Sequence, residues 1–211
     1  MGVPPMRLEG VSPRGSRKDN HMQHLGTKKL ETERLILRPF TLDDAEPMFR
    51  NWAGDSDITK YLSWKPHGSV EDTKTRLEQW IQSYAKQEYY HWAIVLKEIS
   101  EPIGGVAVGQ QSDVTQMVHL GYSIGKPWWN KGIMTEALHA LIAFFFREVG
   151  VNRIEARHDP RNAGSGRVMV KCGMKYEGLI RQADKNNQGI CDCVMYGILA
   201  EDYFGSNAEN V

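Results

Sequence analysis

The chain has 211 residues with 26 basic and 26 acidic side chains, so its formal net charge at pH 7 is zero. That length is typical of one domain with a single hydrophobic core. A neutral chain gives no electrostatic indication of a nucleic-acid or anionic-membrane partner, and no apolar run approaches the roughly 18 residues of a membrane-spanning helix. We therefore expect neither kind of partner.

The cysteine content indicates a reducing compartment. Cys172, Cys191 and Cys193 are too few for a disulfide framework, and the Cys-x-Cys pair has no second ligand pair that would close a zinc site. No signal peptide is recognisable at the start of the sequence. The sequence therefore predicts a cytoplasmic protein without a metal.

The N-terminal segment differs from the rest of the chain. Residues 1–29 are rich in proline and glycine, carry a basic excess and show no periodic apolar pattern, which predicts a disordered tail. The pair His21-Met22 resembles a cloning junction, which would make Met22 the natural start. We expect one domain over residues 30–205 and a short C-terminal tail over residues 206–211.

The first half of this domain is predicted to contain two helices among four strands. A short strand covers residues 35–40. Thr41 then caps a helix that ends at Gly54, and Ser69 caps a second helix that runs to about residue 86. Three further strands are predicted over residues 91–99, 103–110 and 117–124.

The segment from Gly121 to Gly150 is the strongest pattern in the chain. It predicts the end of a strand, a turn around Lys131-Gly132, and a long helix whose apolar stripe is Leu138, Leu141, Ile142, Phe145 and Val149. Gly150 stands where a helix-ending glycine is expected. The front of such a helix leaves backbone N–H groups unpaired, and with the helix dipole they can hold a pyrophosphate.

The second half is predicted to continue with a strand over residues 153–158, a helix from Asn162 to Cys172, and two strands between Met174 and Leu199 around a turn at residues 186–189. The element order is therefore β-α-α-β-β-β-α-β-α-β-β.

Two motifs resemble a known family. Residues 129–134, Trp-Asn-Lys-Gly-Ile-Met, with the Thr-Glu-Ala that follows, resemble motif A of the GNAT superfamily of acetyl-CoA-dependent N-acetyltransferases, in the branch with RimJ and RimL. Trp129 replaces the usual Gln or Arg, and Met134 replaces the usual small residue. Asn162-x-x-Ser165, followed by Cys172-Gly173 and Glu-Gly, resembles motif B, and the element order matches the family over about residues 30–205.

The resemblance implies an α/β (α+β) GNAT fold. Its sheet would be mixed, mostly antiparallel and twisted, with about six or seven strands, splayed at the cofactor site and flanked by about four helices. It also implies acetyl-CoA as cosubstrate. The implied cofactor-binding residues are Tyr122, Ser123, Ile124, Trp129, Asn130, Lys131, Gly132, Ile133, Met134, Thr135 and Asn162.

Two further residues are candidates for the chemistry. Related enzymes protonate the leaving thiolate with a tyrosine at the position of Met169, so Ser165 becomes the candidate acid. Glu155 matches the place of a catalytic base in some family members, but an ion-paired strand residue is an equal interpretation. His119 and His158 have suitable intrinsic pKa values, although packed strand histidines are the more common case.

The predicted function is transfer of acetyl from acetyl-CoA to a primary amine, the α-amine of a protein or peptide, by direct attack in a ternary complex. One alternative acceptor is a small amine, such as a polyamine, an amino acid or an aminoglycoside. Another alternative is an acyl-CoA-binding sensor without turnover. The sequence leaves the acceptor open, and it leaves open whether the protein is a monomer or a homodimer.

Overall fold

The computed structural model describes residues 21–208. They form one eight-stranded sheet in the order β1-β2-β3-β4-β5-β6-β8-β7. The strands are β1 Leu30–Glu31, β2 Leu35–Arg38, β3 His91–Leu96, β4 Glu101–Ser112, β5 Met117–Ile124, β6 Arg153–His158, β7 Lys175–Asn186 and β8 Gly189–Leu199. Neighbouring strands are antiparallel except for β5 and β6, which are parallel. The mixed, mostly antiparallel sheet is therefore confirmed, and the strand beyond the predicted number is the two-residue β1.

Six α-helical segments accompany this sheet. They are α1 Ala45–Met48, α2 Ser56–Thr59, α3 Val70–Ser83, α4 Ile133–Phe144, α5 Ala163–Lys171 and α6 Ala200–Ala208. The four predicted helices correspond to α1, α3, α4 and α5. The two additional helices are α2 and α6. The first is a single turn in the segment predicted as a connection, begun by Asp55, whose side chain accepts from two backbone amides. The second follows β8 and extends into the residues predicted as the C-terminal tail. None of these helices is long and apolar enough to cross a membrane.

Alternation along the strands creates two cores. On β3, Trp92 and Ile94 belong to a core with α4, whereas Ala93 and Val95 belong to a smaller core with α1 and α3. Successive side chains of a strand point to opposite faces, so these two cores cover the two faces of the sheet. The helices around α4 and those around α1 and α3 therefore lie on opposite sides.

The parallel pair β5–β6 opens after three residues. Met117 pairs with Arg153, Val118 with Ile154 and His119 with Glu155, and no later register is present. Beyond that point β5 pairs with β4 alone and β6 with β8 alone. Because α4 follows β5 and α5 follows β6, both helices begin at the edge where this gap opens.

The domain begins before the predicted boundary at residue 30. Met22 is buried in the larger core, the Thr27 hydroxyl accepts from the His91 amide at 2.9 Å, and the Trp92 indole donates to the Lys28 carbonyl at 2.7 Å. The expectation of a disordered tail therefore does not hold for residues 22–28, because contacts with β3 compensate for their weak local pattern. Residues 1–20 lie outside the described range.

We predict that Met22→Ala destabilises the protein although Met22 lies in a segment without periodic pattern. Met22 is 7% exposed, and truncation of a buried methionine costs about 2 kcal/mol or more. For a protein of this size that corresponds to a melting temperature lower by about 4–8 °C, measured by thermal unfolding. Gln23→Ala is the matched control, because Gln23 is exposed. Equal melting temperatures for the two variants would contradict the docking of this segment.

Candidate active site

A cavity of about 450 Å³ lies at the gap, between the starts of α4 and α5. Ten of the predicted cofactor-binding residues line it, namely Tyr122, Ser123, Ile124, Trp129, Asn130, Gly132, Ile133, Met134, Thr135 and Asn162, and so does the candidate acid Ser165. Lys131 does not line it, and its carbonyl instead accepts from Arg34 at 3.0 Å. The structure thus brings two motifs together that are about thirty residues apart in sequence.

The turn before α4 has the backbone shape of an anion site. Asn130 and Gly132 both have left-handed conformations, with φ of 59° and 74°. Gly132 is the N-cap of α4 and contributes no side-chain hydrogen bond to the helix start. Left-handed residues in such a turn direct neighbouring N–H groups to one side, towards the positive end of the helix dipole. This geometry fits a pyrophosphate.

The two replacements in the first motif have structural explanations. The Trp129 indole donates to the Ile124 carbonyl at 2.8 Å and so ties the turn to the end of β5. Its N–H is therefore already used. Met134 is buried in the core with α4. Met134 therefore lines the cavity and also packs in this core.

Two basic residues that line the cavity were not predicted from the sequence. Arg167 and Lys171 lie one helical turn apart on α5, and both line the cavity. Neither has an ion-pair partner among the described residues. The sequence feature that could have identified them is the i, i+4 spacing of Arg167 and Lys171, which places both on the same face of the helix that follows Asn162. Asp57, a carboxylate at this cavity, is bound by Lys126 at 2.7 Å, so the wall formed by α5 is basic.

A second cavity of about 800 Å³ lies on the face of the sheet covered by α1 and α3. Its floor is formed by residues with little or no side chain, Gly105, Ala107 and Gly109 of β4 and Gly121 of β5. A Cβ built on Gly121 or Gly109 would meet no atom within 4 Å. The open space above these strands therefore reaches the backbone itself.

The two cavities adjoin each other. Six residues line both of them, namely Tyr61, Leu62, Tyr122, Ser123, Asn162 and Ser165. At this junction the Tyr122 hydroxyl donates to the Ser165 carbonyl at 3.0 Å and lies 2.9 Å from Ser165 Oγ. Burial raises the pKa of Tyr122, which keeps its proton in place. The Asn162 side chain caps α5 by accepting from the Ser165 amide at 3.4 Å.

Glu155 is not brought to this junction. Its carboxylate accepts from Arg153 Nε at 3.0 Å and lies 3.3 Å from His119 Nδ1. Glu155 lines neither cavity. Of the two sequence interpretations, the geometry favours the ion-paired strand residue.

Both candidate histidines line the second cavity. Burial lowers the pKa of His119 despite the opposing hydrogen bond that it donates to Glu155, so this imidazole is neutral at pH 7. His158 Nδ1 donates to the Asp159 carbonyl at 2.8 Å. Met169, at the position of the family's acidic tyrosine, is buried and supplies no proton donor. Within residues 21–208, no cluster of His, Cys, Asp and Glu side chains could hold a metal ion.

Comparison with known proteins identifies the family. The acetyltransferase (GNAT) domain model matches residues 34–175. The N-acetyltransferase p20 of Bacillus licheniformis is 30% identical over 176 residues, which cover 83% of this chain and 98% of that protein. The ribosomal protein uS5-alanine N-acetyltransferase of Escherichia coli (strain K12) is 29% identical over 159 residues, 71% of this chain and 79% of that protein.

Solved structures agree with this result. The crystal structure of an acetyltransferase (GNAT family) from Bacillus anthracis superposes with a TM-score of 0.72 at 26% identity, covering 82% of this chain and 99% of that chain. The predicted GNAT fold is confirmed by this likeness and by the sheet described above. The family match and the relatives together show that the chain belongs to the GNAT family and is an acetyl-CoA-dependent N-acetyltransferase.

Proposed function

We propose that this enzyme transfers acetyl from acetyl-CoA to the α-amine of a protein or peptide, by direct attack in a ternary complex. The observation that carries the proposal is the pair of cavities that meet at Tyr122, Ser123, Asn162 and Ser165. Direct transfer requires both reactants to be held in line at once. Two cavities joined through one opening in the sheet provide that arrangement without a covalent enzyme intermediate.

Acetyl-CoA is proposed to occupy the smaller cavity. The backbone amides from Asn130 to Thr135 would hold the pyrophosphate, with Lys131 contributing its amide only, and Arg167 and Lys171 would face the negative charge from α5. The unpaired edge of β5 at Tyr122, Ser123 and Ile124, together with Asn162, would align the pantetheine arm. When bound, acetyl-CoA supplies an activated thioester, so the protein mainly needs to position it.

The Tyr122–Ser165 pair is proposed to protonate the leaving thiolate. The two hydroxyl groups lie 2.9 Å apart at the junction. When Tyr122 turns its proton from the Ser165 carbonyl to Ser165 Oγ, the serine hydroxyl can present its own proton to the sulfur while Tyr122 orients it. Ser165 remains the candidate acid, and Tyr122 gains a side-chain role in addition to its place on the cofactor strand.

The charges around the larger cavity support a peptide rather than a polycation. Each carboxylate that lines it is already engaged. Asp159 is bound by Arg161 at 2.6 Å, Asp184 by Arg157 at 2.8 Å, and Asp72 accepts from the Gly68 amide at 3.0 Å. Four basic residues also line the cavity, namely Lys65, Arg76, Arg157 and Lys185. A polyamine or aminoglycoside would find no surplus of negative charge there.

Amine ionisation supports the same acceptor. An α-amine has a pKa of about 7.7–8.0, so roughly one molecule in seven is neutral at pH 7, against about one in a few thousand for lysine. The alanine named for the E. coli relative also points to an N-terminal residue. A screen of N-terminal peptides against polyamines, amino acids and aminoglycosides, with release of free thiol as the readout, tests the proposal. Turnover of small amines alone would contradict it.

For the cellular location we propose the cytoplasm, which the free thiols support. Cys172, Cys191 and Cys193 are all buried and unpaired, and burial raises the pKa of each thiol. Unmodified thiols of this kind suit a reducing compartment.

We predict that Gly132→Val weakens acetyl-CoA binding by at least ten-fold in calorimetry. A β-branched residue is strongly disfavoured at φ of 74°, so the amides around it would turn away from the pyrophosphate. Gly150→Val is the matched control, because Gly150 ends the same helical segment with φ of 77° and a Cβ there meets no atom within 4 Å. Equal affinity in both folded variants would exclude this turn as the phosphate site.

We predict that Ser165→Ala lowers kcat by about 10²-fold while the KM for acetyl-CoA changes little, because a proton donor acts chiefly in the transition state. Tyr122→Phe, assayed in parallel, removes the neighbouring hydroxyl and keeps the ring. A larger loss in Tyr122→Phe would make Tyr122 the donor. Wild-type turnover in both variants would leave solvent as the source of the proton.

We predict that Gly121→Leu blocks the acceptor while acetyl-CoA still binds. The new side chain enters open space in the larger cavity, and Gly121 does not have a positive φ that would strain it. The KM for the best peptide should rise at least ten-fold, with an unchanged dissociation constant for acetyl-CoA in calorimetry. An unchanged peptide KM would show that the acceptor binds elsewhere.

A further inference from the structure

Glu155 and His119 form a hydrogen-bonded pair between β6 and β5, beside the larger cavity. They face each other across the last register of β5 and β6, with Glu155 Oε1 3.3 Å from His119 Nδ1. Glu155 itself lines no cavity, whereas His119 lines the larger one. The imidazole therefore stands between the carboxylate and the space assigned above to the acceptor.

The hydrogen bond determines which nitrogen of His119 can act. A carboxylate only accepts hydrogen bonds, so Nδ1 carries the proton and Nε2 keeps its lone pair. Nε2 has no hydrogen-bond partner among the described residues. It is also not one of the fully buried polar atoms of this part of the chain that lack a partner. The lone pair is thus free of protein partners, on a residue that lines the cavity.

The position of His119 along β5 suits a proton acceptor. His119, Gly121 and Ser123 alternate onto one face of the strand, and His119 and Gly121 are roughly 7 Å apart along it. Gly121 adds no side chain between His119 and the junction. The larger cavity therefore runs along β5 from His119 to the junction, and the proton of an amine bound in it would pass to Nε2 through water in the cavity.

We propose that His119 is the catalytic base of the acetyl transfer and that Glu155 is a positioning residue that holds the Nδ1–H tautomer of His119. Glu155 would act as the third member of a triad does, by orienting the imidazole and stabilising its protonated form. The inference rests on the assignment of the larger cavity to the acceptor.

Every proton in the proposed step has a donor and an acceptor. The nitrogen of the neutral amine forms a bond to the thioester carbon, and its proton passes to His119 Nε2. The bond between that carbon and sulfur breaks, and the thiolate takes a proton from the Tyr122–Ser165 pair. Solvent in the open cavity then carries the proton from His119 back to that pair, which leaves an amide and a free thiol.

The surroundings of His119 set the pH range in which it can act. The charged groups near it are Glu155 and Arg157 of β6 and Asp184 of β7. Burial is the largest influence and lowers the pKa of His119, Arg157 lowers it further, and the two carboxylates oppose them. The net pKa is below the usual 6.5, so the basic form persists at pH 7 and is lost as the pH falls through the lowered value.

The test compares His119→Asn, Glu155→Gln, the double variant and the control His139→Asn, whose histidine is exposed on α4. We expect His119→Asn to lower kcat by about 10²–10³-fold, to keep the KM of the acceptor, and to lose the acidic limb of the kcat–pH profile. Glu155→Gln should cause a smaller loss and move that limb to lower pH, because a supporting charge is removed. The double variant should be no slower than His119→Asn.

A second readout does not depend on turnover. Nitrogen-15 NMR of the wild-type imidazoles should show His119 in the Nδ1–H tautomer at pH 7, with a pKa below 6.5. The Nε2–H tautomer, wild-type kcat in His119→Asn, or a greater loss in Glu155→Gln than in His119→Asn would each overturn the proposal. These outcomes are separate from a wrong acceptor, which would appear as failure of wild-type enzyme to acetylate peptides and as no effect of Gly121→Leu.

Discussion

The early end of the parallel pairing between β5 and β6 is the constraint on which the site depends. Only three registers join the two strands, and backbone groups that are left unpaired inside a protein need other partners. The gap places the starts of α4 and α5 side by side and joins the cavities on the two faces of the sheet. If β5 and β6 were hydrogen-bonded along their whole length, a layer of paired backbone would lie between the two cavities.

Local chemistry made the framework of this gap predictable. The apolar stripe of α4, the left-handed glycines Gly132 and Gly150 and the capping role of Asn162 each depend on a few neighbouring residues. The resemblance to motifs A and B then selected the residues that line the smaller cavity. The places of these residues follow from backbone conformation, including Trp129 and Met134, whose side chains depart from the family pattern, and their roles in binding stay predictions.

Contacts between distant strands were not predictable in the same way. His119 and Glu155 meet only because of the register of a parallel pair formed across 36 positions, and Met22 is buried only because the sheet provides a surface for it. The floor of the larger cavity is a similar case, since Gly105, Ala107 and Gly121 are adjacent only through the pairing of β4 with β5. No period or cap in the sequence encodes such a register, so Glu155 and His119 could each be named as candidates while their pairing could not be predicted.

The alternation of β5 brings side chains of one strand to both cavities. Tyr122 reaches across to Ser165 on α5, whereas His119 and Gly121 line the larger cavity on the opposite face. In the proposed mechanism, protonation of the thiolate and deprotonation of the amine would take place on opposite sides of residues 119–122. Changes at residues that line only the larger cavity, such as Trp64, Arg76 and Trp80, can then alter the acceptor without touching the residues proposed to face acetyl-CoA. This separation accounts for why the smaller cavity is described by family motifs, while the identity of the acceptor has to be read from the charges and the glycine floor of this particular chain.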